Sequence, residues 1–190
     1  MQIIKKENVV DKQSLLFSNL KSGKLFIYPT DTIYGIGCDA TNAKAVKNLR
    51  KVKARPTSPF SIIAPSKDWI KKNCILKKSS ANYINKLPGP FTLILKLKPS
   101  SKLAKNVNPN LDSVGIRIPN HWIANLTRAY GKPIVTTSVN KAGNKHMTSL
   151  STLNPNIKKQ VSFIINEGEK KGKPSTIIDL IQSTPKNISR

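Results

Sequence analysis

The sequence predicts a single mixed α/β domain over 1–190, with a core made largely of β-strands. Short apolar runs rich in β-branched residues alternate along the chain with helical stretches, which is typical of this fold class. The length of 190 residues allows one domain with a proper core and leaves no room for a second of ordinary size. No internal repeat or long linker interrupts the alternation, so one unit is expected.

The first elements follow from apolar spacing and from a capping residue. Residues 13–20 carry leucines and a phenylalanine at helical spacing, and a compact apolar run over 25–28 predicts a buried strand soon after them. Asn42 is expected to cap a helix over 42–53. This helix has one apolar side, and Arg50 is expected among the basic residues away from it.

The rest of the chain continues the alternation of strands and helices. Apolar, β-branched runs predict strands over 60–64, 91–97, 114–118, 134–137, 161–165 and 176–180. Helical spacing predicts helices over 68–72, 79–86, 121–130 and 150–159.

The charge of the chain is strongly positive. Thirty-three Lys and Arg residues against nine Asp and Glu residues give a formal net charge of +24. Such a charge attracts nucleic acid, nucleotides or anionic membranes. However, only five of the cations are Arg, and dispersed Lys side chains are mostly solvated surface residues. A polyanionic partner is favoured, but charge alone identifies no function.

Several classes of protein are excluded by patterns that the sequence lacks. No apolar stretch approaches the roughly 20 residues that cross a bilayer, and residues 1–11 do not have the pattern of a signal peptide. Cys38 and Cys74 stand outside any CxxC or His-rich spacing, which argues against a disulfide framework or a structural zinc site. His121 and His146 are too far apart, and lack the companion ligands, to predict a metal site. A cytoplasmic protein without membrane association is therefore expected.

The segment 29–37, PTDTIYGIG, directly follows the strand predicted over 25–28. Loops at the ends of strands often hold small ligands, and glycine allows the backbone to approach a ligand closely. Thr30, Thr32 and Tyr34 offer neutral hydrogen bonds that can orient a zwitterionic or phosphorylated molecule. Taken alone, an Asx-turn after a strand explains the segment at least as well.

Lys53 and Arg55 stand two residues apart at the predicted end of the basic helix, which Pro56 interrupts. A lysine supplies a mobile point charge and an arginine a fixed fork. This pairing suits the neutralisation of a triphosphate during phosphoryl or nucleotidyl transfer. The alternative is a solvated helix C-terminus, where the helix macrodipole favours cations.

Arg117 lies in a predicted strand, in the segment SVGIRIP over 113–119, and shares one face of it with Ser113 and Gly115. An arginine among buried residues needs a carboxylate or phosphate partner, from the protein or from a ligand. Because the whole chain has only nine acidic residues, a ligand is the favoured partner.

Short polar side chains also follow a strand in the segment 136–143, TTSVNKAG. Ser138 and Asn140 alternate onto one face, and Thr148 follows soon after. Such donors suit a nucleotide phosphate or ribose, although a plain strand-to-turn connection explains them about equally well. Ser175 repeats the pattern of a small hydroxyl residue at the start of an apolar strand.

Taken in order, the segments PTDTIYGIG, KARP, PGPFT, SVGIRIP, TSVNKAG and PSTIIDL resemble the YrdC-type threonylcarbamoyl-AMP synthases, from about Leu25 to the last residue. The resemblance implies their short, single-domain form, a twisted mixed sheet with flanking helices around a deep cavity. It implies an enzyme that condenses L-threonine, bicarbonate or CO2 and ATP to threonylcarbamoyl-adenylate and pyrophosphate. A partner complex would use the adenylate to modify the adenosine beside the anticodon of tRNAs.

The same resemblance assigns expected roles to individual residues. Near threonine it implies Thr30, Arg117, Ser138 and Ser175, with Arg117 on the substrate carboxylate. Around ATP it implies Lys53, Arg55, Thr57, Ser113, Asn140, Thr148 and Arg190. Lys53 and Arg55 are the expected catalytic residues. Mg2+ is expected on the ATP phosphates and water, because the sequence has no cluster of acids to hold it.

Two positions depart from the family pattern. The stretch 57–59 is one residue shorter than the usual form, and Ile63 stands near the position where many relatives have His. The first departure concerns the loop that follows Lys53 and Arg55, and the second lies in the strand predicted over 60–64.

A second hypothesis comes from another class of protein. A non-catalytic RNA-binding or ribosome-assembly module would use the +24 charge and would show only salt-sensitive association with RNA. The enzyme hypothesis predicts conversion of ATP that depends on threonine and bicarbonate, and it is compatible with direct contact to tRNA. It is favoured because polar groups recur at several separated strand ends, which binding to a phosphate backbone does not require.

Overall fold

Eleven strands form one continuous sheet in the computed structural model, which describes residues 1–141, 143–182 and 184–188. The strands are β1 (Gln2–Lys5), β2 (Phe26–Tyr28), β3 (Gly35–Gly37), β4 (Ser61–Ile63), β5 (Cys74–Ile75), β6 (Phe91–Leu97), β7 (Ser113–Arg117), β8 (Ile134–Ser138), β9 (Phe163–Asn166), β10 (Thr176–Asp179) and β11 (Lys186–Ile188). The helices are α1 (Gln13–Lys21), α2 (Ala43–Lys53), α3 (Lys67–Asn73), α4 (Ala81–Asn85), α5 (Ile123–Tyr130) and α6 (Pro155–Lys158).

The sheet is mixed, as the sequence predicts. Its strand order is β1-β9-β2-β3-β8-β4-β7-β6-β10-β11, and β5 pairs with the C-terminal end of β6. Strand β4 is parallel to β7 and antiparallel to β8, while β6 is antiparallel to β7 and parallel to β10. The register sets Ser61 opposite both Gly115 and Thr136, and Gly35 opposite Ser138. Polar ends of several strands thereby come together near the centre of the sheet.

Buried apolar side chains cover both faces of the sheet. Alternation along β2 sends Ile27 to one cluster and Phe26 and Tyr28 to the other. Helix α2 packs on the first cluster through Leu49, and α1 packs on the second through Leu16. Helices therefore flank the sheet on both sides, and the predicted fold class is confirmed. A deep cavity stays a prediction.

Four strands have no counterpart in the sequence prediction: β1, β3, β5 and β11. Strands β1 and β11 form the two edges of the sheet. Strand β1 pairs with β9, which is distant in sequence, and β11 forms a short terminal hairpin with β10. Strand β3 lies inside the segment 29–37, which the sequence analysis interprets as a loop. A Cβ at Gly37 would lie 1.8 Å from the carbonyl oxygen of Val135, so glycine is needed for β3 to approach β8.

The helix predicted over 150–159 is divided in the structure. A 3-10 turn covers Leu150–Thr152, and α6 starts again at Pro155. The side chain of Asn154 accepts hydrogen bonds from the N–H groups of Asn156 and Ile157, which caps the new helix. In the same way, a 3-10 turn precedes α4 in the region predicted as one helix over 79–86.

Helix α2 carries two cations towards the interior. Its start is as predicted, because Asn42 Oδ1 accepts a hydrogen bond from the N–H of Ala45 at 3.0 Å. Its end is set by Ala54, which adopts the left-handed conformation with φ 51° and ψ 43°. Arg50, expected on the basic side, is instead buried on the inner face together with Lys53. These residues lie three positions apart and so share one side of the helix.

Candidate active site

A small polar cavity lies where the loop after β2 meets strands β3, β4, β6, β7, β8 and the start of β10. It encloses about 40 Å³, room for only a few water molecules. Its lining consists of Thr30, Thr32, Ile33, Tyr34, Gly35, Ser61, Thr92, Arg117, Thr136, Thr137, Ser138 and Ser175. Hydroxyl groups dominate this lining, and Arg117 is its cation. All four residues that the resemblance assigns to threonine belong to it.

Arg117 has a protein partner that the sequence analysis did not find. Its Nη2 donates to Oδ1 of Asp31 at 2.7 Å, and both side chains are at most 10% exposed. The other carboxylate oxygen of Asp31 accepts from the N–H of Asn120 at 3.0 Å. Burial lowers the pKa of Arg117, and Asp31 acts in the opposite direction. The expectation that a ligand supplies the carboxylate is therefore wrong for Nη2.

One donor of Arg117 nevertheless remains available. Its Nε is buried and has no hydrogen-bond partner among the described residues. A buried N–H without a partner carries a free-energy cost that an incoming acceptor relieves. Because Arg117 lines the cavity, a carboxylate bound there is a suitable acceptor.

The hydroxyl groups of the cavity are largely ordered by one another. Thr30 Oγ1 donates to the carbonyl of Ile33 at 2.7 Å and accepts from the N–H of Thr32 at 3.1 Å. Thr30 thus forms an ST-turn, whereas Asp31, the residue that could form the Asx-turn considered in the sequence analysis, is bonded to Arg117 and Asn120. Across the cavity, the hydroxyls of Thr92 and Ser175 lie 2.7 Å apart. Neutral groups held in this way form a preorganised lining.

Lys53 connects the end of α2 to the loop that follows β8. Its Nζ donates to the carbonyls of Ser138 and Asn140 and, at 2.8 Å, to Oδ1 of Asn140. Only 1% of the residue is exposed. Burial, assisted by the charge of Arg55, lowers the pKa of Lys53 to about 7. A titratable cation is therefore held against Ser138, a residue of the cavity.

Residues 53–60, which we call the cation loop, bring a second cation to the same place. Arg55 Nη1 lies 3.4 Å from Oγ1 of Thr137, which lines the cavity, and its Nη2 donates to the carbonyl of Pro59. Burial lowers the pKa of Arg55. No carboxylate of the described residues forms an ion pair with Lys53 or Arg55. The charge of Arg55 is therefore available to a phosphate group, whereas Lys53, whose three donors are bonded to protein oxygens, would have to exchange one of these bonds for a phosphate oxygen.

A sequence model of the Sua5/YciO/YrdC family, described as "Telomere recombination", matches residues 18–190. The chain belongs to the Sua5/YciO/YrdC family. The resemblance found in the six segments is thereby confirmed.

Individual members of the Sua5/YciO/YrdC family are similar in sequence and structure. A Methanocaldococcus jannaschii protein, provisionally named threonylcarbamoyl-AMP synthase, is 36% identical over 170 residues, 87% of this chain and 78% of the relative. The structure of P. abyssi Sua5 complexed with L-threonine matches at 28% identity with a TM-score of 0.85, over 98% of this chain and 56% of that one. E. coli YciO, 22% identical, has the same fold, with a TM-score of 0.85 over 100% and 94% of the chains. This chain spans only 56% of P. abyssi Sua5.

None of the described residues expected around ATP belongs to the lining of the cavity, although Lys53 and Arg55 contact it. Ser113 is buried, and its carbonyl accepts from Nδ2 of Asn108. Thr57 is exposed on the cation loop, and Thr148 is half-buried with its hydroxyl 3.4 Å from that of Thr152. Asn140 does not line the cavity either, but its side chain accepts a hydrogen bond from Lys53. The nucleotide roles of these residues stay predictions, and Arg190 lies outside the described residues.

Two contributors to this Sua5/YciO/YrdC site were not among the expected residues. Asp31 stands in the segment 29–37, but its link to Arg117 joins residues 86 positions apart and leaves no local pattern. Arg50 contacts the cation loop from α2. Its position three residues before Lys53 was a signal that both point to the same side.

The residues 1–141, 143–182 and 184–188 contain neither a metal-binding cluster nor a membrane-spanning helix. There, no group of three or more His, Cys, Asp or Glu residues is arranged to hold a metal ion. None of the helices in that part of the chain is long and apolar enough to span a bilayer.

Proposed function

We propose that this chain is an L-threonylcarbamoyladenylate synthase, which condenses L-threonine, bicarbonate or CO2 and ATP and releases pyrophosphate. One observation carries the proposal: the four residues assigned to threonine line one cavity, and Lys53 and Arg55 contact Ser138 and Thr137 of its lining without a carboxylate partner among the described residues. The name of the M. jannaschii relative and the L-threonine complex of P. abyssi Sua5 support the same substrate.

Threonine would bind with its carboxylate on Arg117 and its polar groups among the neutral hydroxyls. The free Nε supplies a charge-assisted hydrogen bond, while Asp31 keeps hold of Nη2. Because the cavity encloses only about 40 Å³, lining side chains must move apart when the amino acid enters. Thr30, Ser138 and Ser175 would complete the pocket around it.

ATP would bind with its phosphates on Lys53 and Arg55. Asn140 adjoins Lys53, and Thr57, Ser113, Thr148 and Arg190 are the further nucleotide contacts that we propose. The described residues offer no acidic cluster to hold Mg2+, so the residues present fit an ion carried by phosphate oxygens and water. When bound, the ion supplies positive charge to the triphosphate.

The reaction needs no protein nucleophile. The neutral amine of threonine attacks CO2, the C–N bond forms as one C=O π bond becomes a C–O⁻ bond, and a proton of the nitrogen passes to solvent water to leave a carbamate. A carbamate oxygen then attacks the α-phosphorus of ATP, and the bond to the β-phosphate oxygen breaks to release pyrophosphate. Proximity of the two substrates is the main catalytic device. Lys53 and Arg55 stabilise the charge that develops on the leaving group.

The product would pass to a partner complex that modifies the adenosine beside the anticodon in tRNAs that read codons beginning with A. With a net charge of +24, the chain is suited to contact tRNA directly during this transfer. We place this activity in the cytoplasm.

The test is an assay of the purified chain with ATP, Mg2+, labelled bicarbonate and each amino acid in turn. We expect a labelled adenylate and pyrophosphate with threonine alone. Salt-sensitive binding of RNA without any conversion of ATP would reject the proposal in favour of the non-catalytic RNA-binding module.

A further inference from the structure

Arg50 is a buried cation of α2, only 7% exposed. Its guanidinium donates four hydrogen bonds, and all four acceptors are backbone carbonyls. Nη1 donates to Arg55 at 2.8 Å and Ser58 at 3.0 Å, Nε to Asn106 at 2.7 Å, and Nη2 to Val107 at 2.8 Å. Because a guanidinium has five N–H donors, this arrangement leaves it almost none for a ligand.

The four carbonyls belong to two segments that Arg50 joins. Two lie in the cation loop, and two lie in the 3-10 turn Lys105–Val107. Pro56 and Pro59 have no N–H. Among the described backbone groups of 56–59, only the carbonyls of Ser58 and Pro59 form hydrogen bonds, and both accept from arginine side chains. Arg50 therefore supplies hydrogen bonds that a helix or a strand ladder supplies elsewhere.

Arg50 and Arg55 also share the aromatic ring of Phe60. The guanidinium carbon lies 4.6 Å from the ring centre for Arg50 and 5.5 Å for Arg55. Burial, together with the charge of Arg55, lowers the pKa of Arg50. The ring attracts each cation and offsets part of their mutual repulsion. Phe60 is thus a common support that sets the place of both side chains.

We propose that Arg50 is a positioning residue for the nucleotide: it holds the cation loop so that Arg55 faces the cavity and meets the phosphates. The proposal rests on the proposed function for the identity of the nucleotide. In it Arg50 touches no substrate and acts through Arg55. Lysine cannot replace it, because three donors on one nitrogen do not reach carbonyls spread around a planar fork.

The experiment measures the affinity of α,β-methylene-ATP, a non-hydrolysable analogue, by calorimetry in a double-mutant cycle. The variants are Arg50→Lys, Arg55→Ala and their combination, and the control is Arg128→Lys on the exposed side of α5. We expect Arg50→Lys to weaken binding about tenfold and Arg55→Ala at least as much, with the double variant no weaker than Arg55→Ala. The control should bind like the wild type.

Each outcome separates this inference from a purely structural role and from the proposed function. The inference would be overturned if the double variant lost affinity for the analogue by the product of the two single factors. It would also be overturned if Arg50→Lys bound the analogue like the wild type. If the affinities of the variants followed the expected pattern but no threonine-dependent product formed, the proposed function would be rejected and the role of Arg50 would stand. A wild type that does not bind the analogue overturns both.

A second variant covers the case in which Arg50→Lys does not fold, which circular dichroism would reveal. Phe60→Leu removes the shared ring and keeps an apolar side chain of similar size. We expect it to weaken binding of the analogue in the same direction, by a smaller factor, while the affinity for threonine stays unchanged. Equal loss of both affinities, or no loss at all, would overturn the inference.

Discussion

The cavity and the cation loop are adjacent, yet they differ in whether their cations have a carboxylate partner. In the cavity the cation Arg117 is paired with Asp31, and the remaining polar groups are neutral and largely bonded to each other. In the cation loop Lys53 and Arg55 are held by carbonyls, hydroxyls and an aromatic ring, without a carboxylate among the described residues. The charge of Arg117 is thus balanced by Asp31, although its Nε keeps no partner, whereas the charges of Lys53 and Arg55 have no counter-charge among the described residues.

The largest effect is expected for Lys53→Ala, which removes one of the two unneutralised cations. We expect kcat/KM for ATP to fall about 100-fold to 1000-fold, because preorganised charge on the leaving group is lost. The measurement is threonine-dependent release of pyrophosphate. Lys51→Ala, an exposed lysine of the same helix, is the matched control and should keep full activity. Turnover in Lys53→Ala equal to the control would contradict the phosphate role.

Arg117→Lys tests the cavity rather than the cation loop. Lysine keeps a charge for Asp31 but loses the second donor that Nε offers to a substrate carboxylate. We expect KM for threonine to rise about 10-fold to 100-fold, as the loss of a charged hydrogen bond requires, while KM for ATP stays unchanged. Initial rates with each substrate varied separately provide the measurement. A rise in both constants would show that the two regions are not independent.

The pH dependence of nucleotide binding separates the two regions further. Lys53 has a pKa lowered to about 7, so the fraction that carries a proton falls as pH rises above 7. Since the cation is the form that binds phosphate, we expect the affinity for α,β-methylene-ATP to fall, at most about tenfold per pH unit, between pH 7 and 9. Calorimetry at several pH values measures it. An affinity that is constant over this range would contradict the assignment.

The same contrast explains which parts of the site could be predicted from the sequence. Thr30, Ser138 and Ser175 stand in hydroxyl-rich segments next to strands, and the resemblance to the YrdC-type synthases implied that they meet around one ligand. The pairing of Asp31 with Arg117 did not, because it depends on how distant strands are arranged. The acceptors of Arg50 are backbone carbonyls, which every residue has and no sequence pattern marks.

The helices and strands likewise differ in whether the local sequence predicts them. Long apolar strands such as β6 and the capped helix α2 have strong local signals, and both are present. Strand β3 is a Gly-Ile-Gly segment that reads as a turn, and it becomes a strand only because β2 and β8 flank it. Local pattern therefore predicts elements that are stable by their own periodicity, and misses those that neighbours impose.

The smallest expected effect concerns the backbone where α2 enters the cation loop. Ala54 has φ 51° and is exposed, and an L-residue other than glycine pays about 1–2 kcal/mol in this conformation. Ala54→Gly removes that strain but makes the unfolded chain more flexible, so we expect a net gain of about 0.5–1 kcal/mol in the free energy of unfolding. Denaturant unfolding provides the measurement.

A matched control for Ala54→Gly is Asn110→Gly, at an exposed residue with φ 63°. Asparagine tolerates the left-handed region better than alanine, so its replacement should stabilise the chain less. If Arg50 holds the cation loop in place, the added freedom at position 54 should leave KM for ATP unchanged, because the carbonyls of Arg55 and Ser58 remain bonded. A more stable variant with weaker nucleotide binding would instead show that the left-handed turn, rather than the guanidinium, aims Arg55 at the cavity.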